Sequence, residues 1–266
     1  ALRCARRMYG VNSIRASEIL YDAATSYWHL KEYDKAGEFW GACLQIRTMH
    51  LKGEAAEYDD DEEREEEDDE TVDEPDIISN GDVEYAKVLY NTAASLCAMG
   101  RYSDSRTLKS LEQAKEIFSE RFDILPHVEV ANCLFYMAVT YFKRASAQDT
   151  ILLKTASVHL NRASSIYRTL GYLSSGGDDS DLVDLALQAH IRLMEGSISE
   201  ALGKFHLAID TYMVALHLYR QLDEKIWEVY VASVLSTMGK LYVKMSHDAA
   251  AIVHLDEALS LRRECL

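Results

Sequence analysis

Two short segments contain residue types that could bind a phosphate group or a calcium ion. In GSISEALGKF (196–205), six residues separate the glycines where a phosphate-binding loop has four, and Phe205 stands where that loop needs a hydroxyl. The run DDSD at 178–181 supplies carboxylates, but Ala189 occupies the twelfth position, where calcium needs a bidentate glutamate. An inter-helix turn and a helix N-cap explain the two segments better.

The histidines and cysteines also lack the spacing that chemistry requires. The nine histidines include no H-E-x-x-H pair, and the five cysteines are scattered with no C-x-x-C pair. Scattered cysteines in odd number are typical of buried, reduced thiols in a cytosolic protein. We therefore expect no metal, no cofactor and no catalytic site, and an enzyme is the least favoured class.

One acidic segment carries nearly all of the net charge of −16. Residues 54–76 hold 16 of the 44 acidic residues and one of the 28 basic ones, which leaves 28 acids and 27 bases elsewhere. So many like charges repel one another and offer little to bury, so the sequence predicts a disordered insertion loop over 54–80. The charge balance argues against nucleic-acid binding. Because no apolar run reaches about 18 residues and no signal peptide is evident, we expect a cytoplasmic protein without membrane insertion.

The elements around these segments follow a repeated pattern. The stretch LYDAATSYWHLKEYDKAGEFW (20–40) places small and large apolar residues three and four apart, then a short polar turn, then a second such series. Only two prolines and twelve glycines occur in 266 residues, which favours helices. The predicted packing residues of this helix pair are Leu20, Ala23, Ala24, Tyr27, Ala36, Trp40 and Cys43. Because one pair cannot bury both of its apolar faces, neighbouring pairs must stack.

The same unit recurs along the chain with insertions at its turns. Residues 1–10 read ALRCARRMYG and residues 258–265 read ALSLRREC, and the spacing between equivalent small residues is 42 or 43 at the two ends of the chain. This pattern resembles the tetratricopeptide repeat (TPR) family, and the period near 42 with A-L-x-x-R-R endings resembles its kinesin light chain subtype. The resemblance implies an all-α, right-handed α-solenoid of about five helix pairs. The predicted pairs span 13–52, 82–122, 127–170, 181–221 and 225–266, and residues 1–10 form the end of a preceding helix.

In such a solenoid the first helix of each pair lines a concave groove. The kinesin light chain resemblance implies that the groove takes short aromatic and acidic cargo peptides, with Asn91 matching the groove asparagine of that subtype. Aromatic rings supply binding energy and lysines orient an acidic ligand. The residues predicted to line a peptide-binding groove are Tyr21, Trp28, His29, Lys87, Tyr90, Asn91, Asn132, Phe135, Phe142, Lys143, Lys240 and Lys244.

The sequence therefore predicts a non-catalytic adaptor for protein or peptide partners, with a motor or cytoskeletal assembly as the setting. The alternative is a structural subunit permanently docked in a large assembly. The aromatic rings could instead serve packing alone, and the lysines could be an ordinary solvated face. In the acidic loop, Tyr58 lies among acids as in the expected ligands, which suggests an autoinhibitory segment; a solubilising spacer is the alternative.

Overall fold

Ten α-helices account for most of the residues that the computed structural model describes, which are residue 7 and the ranges 10–52, 77–122, 126–146, 149–171, 181–222 and 225–264. The helices are α1 (Ile14–His29), α2 (Tyr33–Leu51), α3 (Ile77–Ala98), α4 (Ser105–Arg121), α5 (Val128–Arg144), α6 (Thr150–Thr169), α7 (Asp181–Ala201), α8 (Phe205–Arg220), α9 (Lys225–Lys244) and α10 (Asp248–Glu264). No strand occurs in these ranges. The prediction of an all-α fold made of helix pairs is confirmed.

Several helices begin at a polar side chain that satisfies an otherwise unpaired backbone N–H group. The Ser13 hydroxyl accepts from the Ala16 amide at 3.2 Å at the start of α1. Asp104 and Asp149 act in the same way at the starts of α4 and α6, with N···O distances of 3.0 and 3.1 Å. Such caps stabilise a helix by about 1 kcal/mol each. They fix where the helices of a pair begin.

The turn inside four of the five pairs has one backbone geometry. Lys31, Gly100, Gly203 and Ser246 have φ values of 60°, 73°, 75° and 60°, in the left-handed region. The next residue then donates its N–H to the carbonyl five positions earlier, at 2.8 to 3.0 Å, which closes a Schellman motif. In the third pair, α5 ends at Arg144, and the residue after it, Ala145, has extended backbone. The left-handed backbone conformation is strained for a residue with a side chain but not for glycine. Lys31 and Ser246 therefore adopt the same turn at a cost in conformational energy.

The chain divides into two compact units, Ala1–Leu125 and Pro126–Leu266. In unit 1, α1 packs on α2, α3 packs on α4, and α2 contacts α3. The core of the first pair contains Leu20, Ala24, Ala36, Trp40 and Cys43, all at most 3% exposed, together with Val88 from α3. The helical spacing predicted these five residues to be buried, whereas the other two predicted packing residues, Ala23 and Tyr27, are only half-buried. Val88 shows that the next pair covers the first.

In unit 2, the pairs α5–α6, α7–α8 and α9–α10 are joined by contacts between α6 and α7 and between α8 and α9. Two glycines allow the helices of a pair to approach closely. A Cβ atom at Gly196 would lie 2.6 Å from the ring of Tyr212, and one at Gly239 would lie 2.6 Å from Leu255. In these two pairs the helices can approach this closely only because glycine has no side chain.

Two sequence predictions lie wholly or mainly outside the described residues. The first is the preceding helix over 1–10, of which only residues 7 and 10 are described. The second is the insertion over 54–80, of which residues 77–80 are described and belong to α3. No helix in the described ranges is long and apolar enough to cross a bilayer.

Candidate functional site

In unit 1, the predicted groove residues Tyr21 and Asn91 touch each other. Asn91 on α3 donates its side-chain amide to the Tyr21 hydroxyl on α1 at 3.0 Å. Both side chains are half-buried. Burial raises the pKa of Tyr21, and the hydrogen bond from Asn91 offsets part of this effect. The contact links the first helices of two successive pairs.

The ring of Trp28 packs inside the first helix pair. Its centroid lies 4.9 Å from Tyr33 and 5.7 Å from Trp40, and the ring of Tyr21 lies 6.5 Å from Trp40. Trp28 stays half-buried, while His29 is exposed at the end of α1. The rings of Tyr21 and Trp28 therefore help to hold α1 against α2 and also keep part of their surface in solvent.

Lys87, the lysine predicted to line the groove on α3, already forms an ion pair with an acidic residue. The Lys87 ammonium lies 2.7 Å from the carboxylate of Glu84, one turn earlier on α3. Tyr90 is half-buried on the same helix. A ligand carboxylate at Lys87 would have to compete with Glu84, so the charge of Lys87 is less available than its sequence position suggests.

In unit 2, α5 carries Asn132, Phe135, Phe142 and Lys143. Asn132 accepts a hydrogen bond at 2.6 Å from the hydroxyl of Tyr167, which is 1% exposed on α6. Phe135 and Phe142 are half-buried, and the exposed Lys143 ammonium lies 5.8 Å from the centroid of the Phe142 ring. Asn132 thus satisfies a buried hydroxyl, and Phe142 with Lys143 forms a partly exposed ring and cation pair.

The two lysines predicted on α9 differ in their surroundings. Lys244 donates to Glu200 on α7 at 2.7 Å, and the second carboxylate oxygen of Glu200 accepts from the buried Tyr212 hydroxyl at 3.1 Å. Burial raises the pKa of Tyr212, which keeps this hydroxyl a donor. One turn before Lys244, Lys240 is exposed and has no ion-pair partner in the part of the chain that the structure describes. Of these two lysines, Lys240 is therefore the one that is available to a ligand.

Sequence reasoning missed an aromatic cluster in unit 2. His190 on α7 lies 5.1 to 6.1 Å, centroid to centroid, from Tyr219, Trp227 and Tyr230. Burial lowers the pKa of His190, and a 2.7 Å contact between Nδ1 and the carbonyl of Ala186 offsets part of this. The spacing W-x-x-Y at 227–230 is the signal that could have revealed one face of the cluster.

The remaining sequence predictions concern Tyr58, metal-binding side chains and the cysteines. Tyr58 lies outside the described residues. Among the described residues, no group of three or more His, Cys, Asp or Glu side chains is arranged to hold a metal ion. Cys43, Cys97 and Cys133 are buried.

Comparison with known proteins bears on the fold. No protein-family model matches the chain, and no curated protein sequence matches it. Among solved structures, BtubC (BKLC) from P. vanneervenii is similar at 13% identity and a TM-score of 0.59, covering 99% of this chain and 85% of that one. The apo form of RapI is similar at 12% identity and a TM-score of 0.58, covering 99% and 90%. The TPR-like repeats of a putative kinesin light chain from Podosopora anserina are similar at 12% identity and a TM-score of 0.52, covering 95% and 98%.

The chain has a TPR-like repeat fold. The matched length includes nearly all of this chain and most of each of these three structures. The TPR-like expectation is confirmed at the level of the fold. We use the name "first-helix surface" for the predicted groove residues on α1 and α3 in unit 1, and separately for those on α5 and α9 in unit 2.

Proposed function

We propose that the protein is a non-catalytic adaptor that binds a peptide segment of aromatic and acidic character on its first-helix surfaces. The proposal includes a cytoplasmic setting and a cargo or scaffold role in a motor or cytoskeletal assembly. Likeness to kinesin light chain repeats supports that setting, as do the sequence features of the kinesin light chain subtype.

The observation that carries the proposal is the pair of contacts between successive first helices. Asn91 reaches Tyr21 across α3 and α1, and Lys244 reaches Glu200 across α9 and α7. These contacts hold neighbouring first helices together while their side chains remain partly in solvent. A surface made of successive first helices, with half-buried rings and exposed cations, suits an extended or helical peptide.

The distribution of charge indicates where an acidic residue of the ligand binds. Lys87 and Lys244 already face carboxylates, whereas Lys143 and Lys240 are exposed, and Lys240 has no ion pair with any described residue. A ligand carboxylate gains most at a cation that has no competing partner. The ring of Phe142 beside Lys143 offers an apolar anchor at the same place. We therefore assign the acidic part of the ligand to Lys143 and Lys240 of unit 2.

The test is a fluorescence anisotropy titration with peptides selected from an array of aromatic and acidic sequences. Lys143→Glu and Lys240→Glu should each weaken binding by about tenfold, as expected for one charge-assisted contact reversed. Lys154→Glu is the matched control, because Lys154 is exposed on α6, a second helix of the same unit. It should change the affinity by less than about twofold. Equal losses in all three variants would refute the assigned surface.

The aromatic part of the site is tested with Trp28→Ala and Phe142→Ala. Both rings are half-buried, so circular dichroism must first show that each variant keeps its helices. A peptide that binds in unit 2 should lose affinity with Phe142→Ala and keep it with Trp28→Ala. If both variants bind the same set of array peptides as the wild type, neither ring anchors the ligand.

The acidic insertion supports a second proposal about the same surface, namely that it masks the surface in the free protein. The segment carries Tyr58 among acids, and a tethered ligand reaches an effective concentration in the millimolar range. Deleting residues 54–76 should tighten peptide binding at low salt, and the gain should vanish at high salt because charge attraction is screened. Equal affinity of the full-length and deleted chains across the salt series would rule out masking.

A further inference from the structure

One arginine on α2 is buried without an acid to match its charge. Arg47 is only 8% exposed, and no carboxylate of a described residue forms an ion pair with it. Its Nε–H group is shielded from solvent and has no hydrogen-bond acceptor. A guanidinium group stays charged and carries several N–H donors, so its burial is strongly unfavourable unless an anion accompanies it.

The third helix pair shows where a side chain at this position reaches. The equivalent residue, four positions after the small residue of the second helix, is Tyr167 on α6. Its hydroxyl donates to Asn132 on α5, a predicted groove residue. In the first pair, the residue equivalent to Asn132 is Glu18 on α1, which is exposed and forms no ion pair with Arg47. The repeat therefore directs this position toward the first helix, and Arg47 lacks the partner that Tyr167 has.

Contacts inside unit 1 place Arg47 beside the first-helix surface. Burial raises the pKa of the Cys43 thiol, and the positive charge of Arg47 and a hydrogen bond from it offset part of this effect. The carboxylate of Glu84 on α3 acts electrostatically on the same thiol and on the Tyr21 hydroxyl. Arg47, Cys43, Tyr21 and Glu84 therefore form one cluster. Glu84 already pairs with Lys87 at 2.7 Å, so it does not neutralise the buried guanidinium group.

A second donor on α2 also lacks an acceptor. The indole N–H of Trp40, a residue that is 3% exposed, has no hydrogen-bond partner. Trp40 precedes Arg47 by seven residues, which puts both side chains on nearly the same side of α2, and its ring lies 6.5 Å from that of Tyr21. Buried donors in folded proteins are nearly always paired. The base of this surface therefore has more donors than acceptors, and a ligand that supplies acceptors corrects the imbalance.

We propose that Arg47 anchors a carboxylate-binding site at the first-helix surface of unit 1, which takes an acidic side chain of a peptide ligand. The planar guanidinium group can donate two parallel N–H bonds to one carboxylate, and these bonds are strengthened where solvent is excluded. A singly charged carboxylate suits the site better than a phosphate dianion, because Glu84 in the same cluster repels a second negative charge. The peptide as the ligand rests on the proposed function, whereas the carboxylate site rests on Arg47 itself.

An NMR titration of the full chain with sodium acetate, up to about 100 mM and with chloride keeping the ionic strength constant, tests the site directly. The Nε–H signal of Arg47, assigned by its absence from Arg47→Met, should move downfield and saturate as the carboxylate accepts its hydrogen bond. The Arg106 Nε–H signal is the internal reference, because this group already donates to Asp104 at 3.0 and 3.2 Å. An Arg47 signal that moves no more than that of Arg106 would overturn the site.

The stability of Arg47→Met tests whether the charge is unpaired in the free protein. Methionine keeps a long apolar side chain and removes the charge, so the urea midpoint should rise by about 0.3 to 1 M. Fluorescence in a Trp227→Phe background reports on unit 1, because the remaining tryptophans are Trp28 and Trp40. Glu18→Gln should leave the midpoint unchanged. A lower midpoint in either variant would reveal a partner of Arg47 within the chain and would contradict the proposal.

Peptide binding tests the ligand. Array peptides that lose affinity with Trp28→Ala bind in unit 1, and Arg47→Met should weaken their binding by about tenfold or more. Arg106→Met is the matched control, because Arg106 is exposed on α4, a second helix of the same unit, and should change the affinity by less than about twofold. If Arg47→Met keeps the affinity of every array peptide, the ligand of this site is not a peptide of this kind and the proposal fails.

Two further outcomes separate this site from the proposed function. If no array peptide binds the wild type, the adaptor function and the peptide ligand are both wrong, while a saturable acetate shift would still support the carboxylate site. If the acetate shift occurs only after residues 54–76 are deleted, the acids of the chain itself fill the site, and the assignment to a separate ligand is overturned.

Discussion

Gly196 on α7 sits against the ring of Tyr212 on α8, and replacing it by alanine tests how closely the paired helices approach. The added Cβ atom would lie 2.6 Å from two ring carbons of Tyr212 and 3.2 Å from a third. Ordinary carbon contacts lie at about 3.5 to 4.0 Å, so the ring and helix must separate by about 1 Å. Tyr212 is 1% exposed, and its hydroxyl is held by Ser197 at 3.3 Å and by Glu200 at 3.1 Å. The ring therefore cannot move without disturbing these hydrogen bonds.

Two effects of opposite sign determine the size of the change. Forcing an extra carbon into a packed core costs about 1 to 3 kcal/mol. Alanine in place of glycine inside a helix gains about 0.5 to 1 kcal/mol. We expect Gly196→Ala to lower the free energy of unfolding by about 1 to 2 kcal/mol, because the steric cost is the larger of the two.

Chemical denaturation followed by circular dichroism at 222 nm measures this change. Gly41→Ala is the control for helix propensity, because nothing lies within 4 Å of a Cβ atom at Gly41 on α2. It should raise the stability by about 0.5 to 1 kcal/mol. Gly239→Ala should fall between the two, since its clash is with the half-buried, flexible side chain of Leu255.

A double-mutant cycle isolates the clash. In the last pair, Leu255 occupies the position that Tyr212 holds in the pair before it, so Tyr212→Leu is a substitution that the repeat tolerates elsewhere. In the Tyr212→Leu background, Gly196→Ala should become neutral or stabilising, with a coupling energy of at least about 1 kcal/mol. A stabilising Gly196→Ala in the wild-type background, or a coupling energy near zero, would refute the steric reasoning.

Three further predictions concern single side chains. Tyr219→Phe removes a buried hydroxyl that has no hydrogen-bond partner in the described ranges, so the unfolding free energy should stay equal or rise, whereas Tyr167→Phe loses a 2.6 Å bond and should cost about 1 kcal/mol in a denaturant titration. Lys31→Gly relieves left-handed backbone strain and should raise the thermal midpoint, while Gly203→Ala should lower it, each by the equivalent of about 1 kcal/mol. Asp104→Ala removes the cap of α4 and should cost about 1 kcal/mol at neutral pH. Because hydrogen bonds from the arginine two residues later lower the Asp104 pKa from 3.8 to about 2, this carboxylate stabilises fully above pH 3.8, and its contribution is lost as the pH falls to about 2, which an NMR titration measures.

Each of these predictions has a result that contradicts it. Equal losses for Tyr219→Phe and Tyr167→Phe would mean that both hydroxyls have partners. A lower midpoint for Lys31→Gly would show that its side chain contributes more than the strain costs. If the Asp104 carboxyl titrates at its ordinary pKa in the folded protein, Asp104 does not cap α4.

The repeated helix pairs could be predicted from the sequence because the burial of a helix face depends on spacing alone. Leu20 and Ala24 share one face through the 3.6-residue period, and Ala36, Trp40 and Cys43 share another. The sequences GRY and GKF at 100–102 and 203–205 mark turns with glycine at the left-handed position. The same turn at Lys31 and Ser246 carries no such signal, since lysine and serine are rarely left-handed.

The candidate site could be predicted only in part. Helical spacing places Tyr21, Asn91 and Lys240 on exposed sides of first helices, and the structure leaves each of them partly or fully exposed. The spacing does not show that Lys244 is matched by Glu200, since these residues lie 44 positions apart and meet only in the folded chain. A lysine side chain is long enough to reach an adjacent helix. Whether its ammonium group is available to a ligand therefore depends on the residues of that helix.

The amino-acid sequence by itself determined the class of fold, the length of the repeat and the side of each helix that is buried. These properties follow from local periodicity, turn chemistry and the need to remove apolar side chains from water. Only the tertiary structure decided which surface groups remain available: Lys240 but not Lys244. The physical reason is that equivalent positions in a repeat lie on the same side of their helices, whereas their exposure and their ion pairs depend on which residues of a neighbouring helix lie beside them.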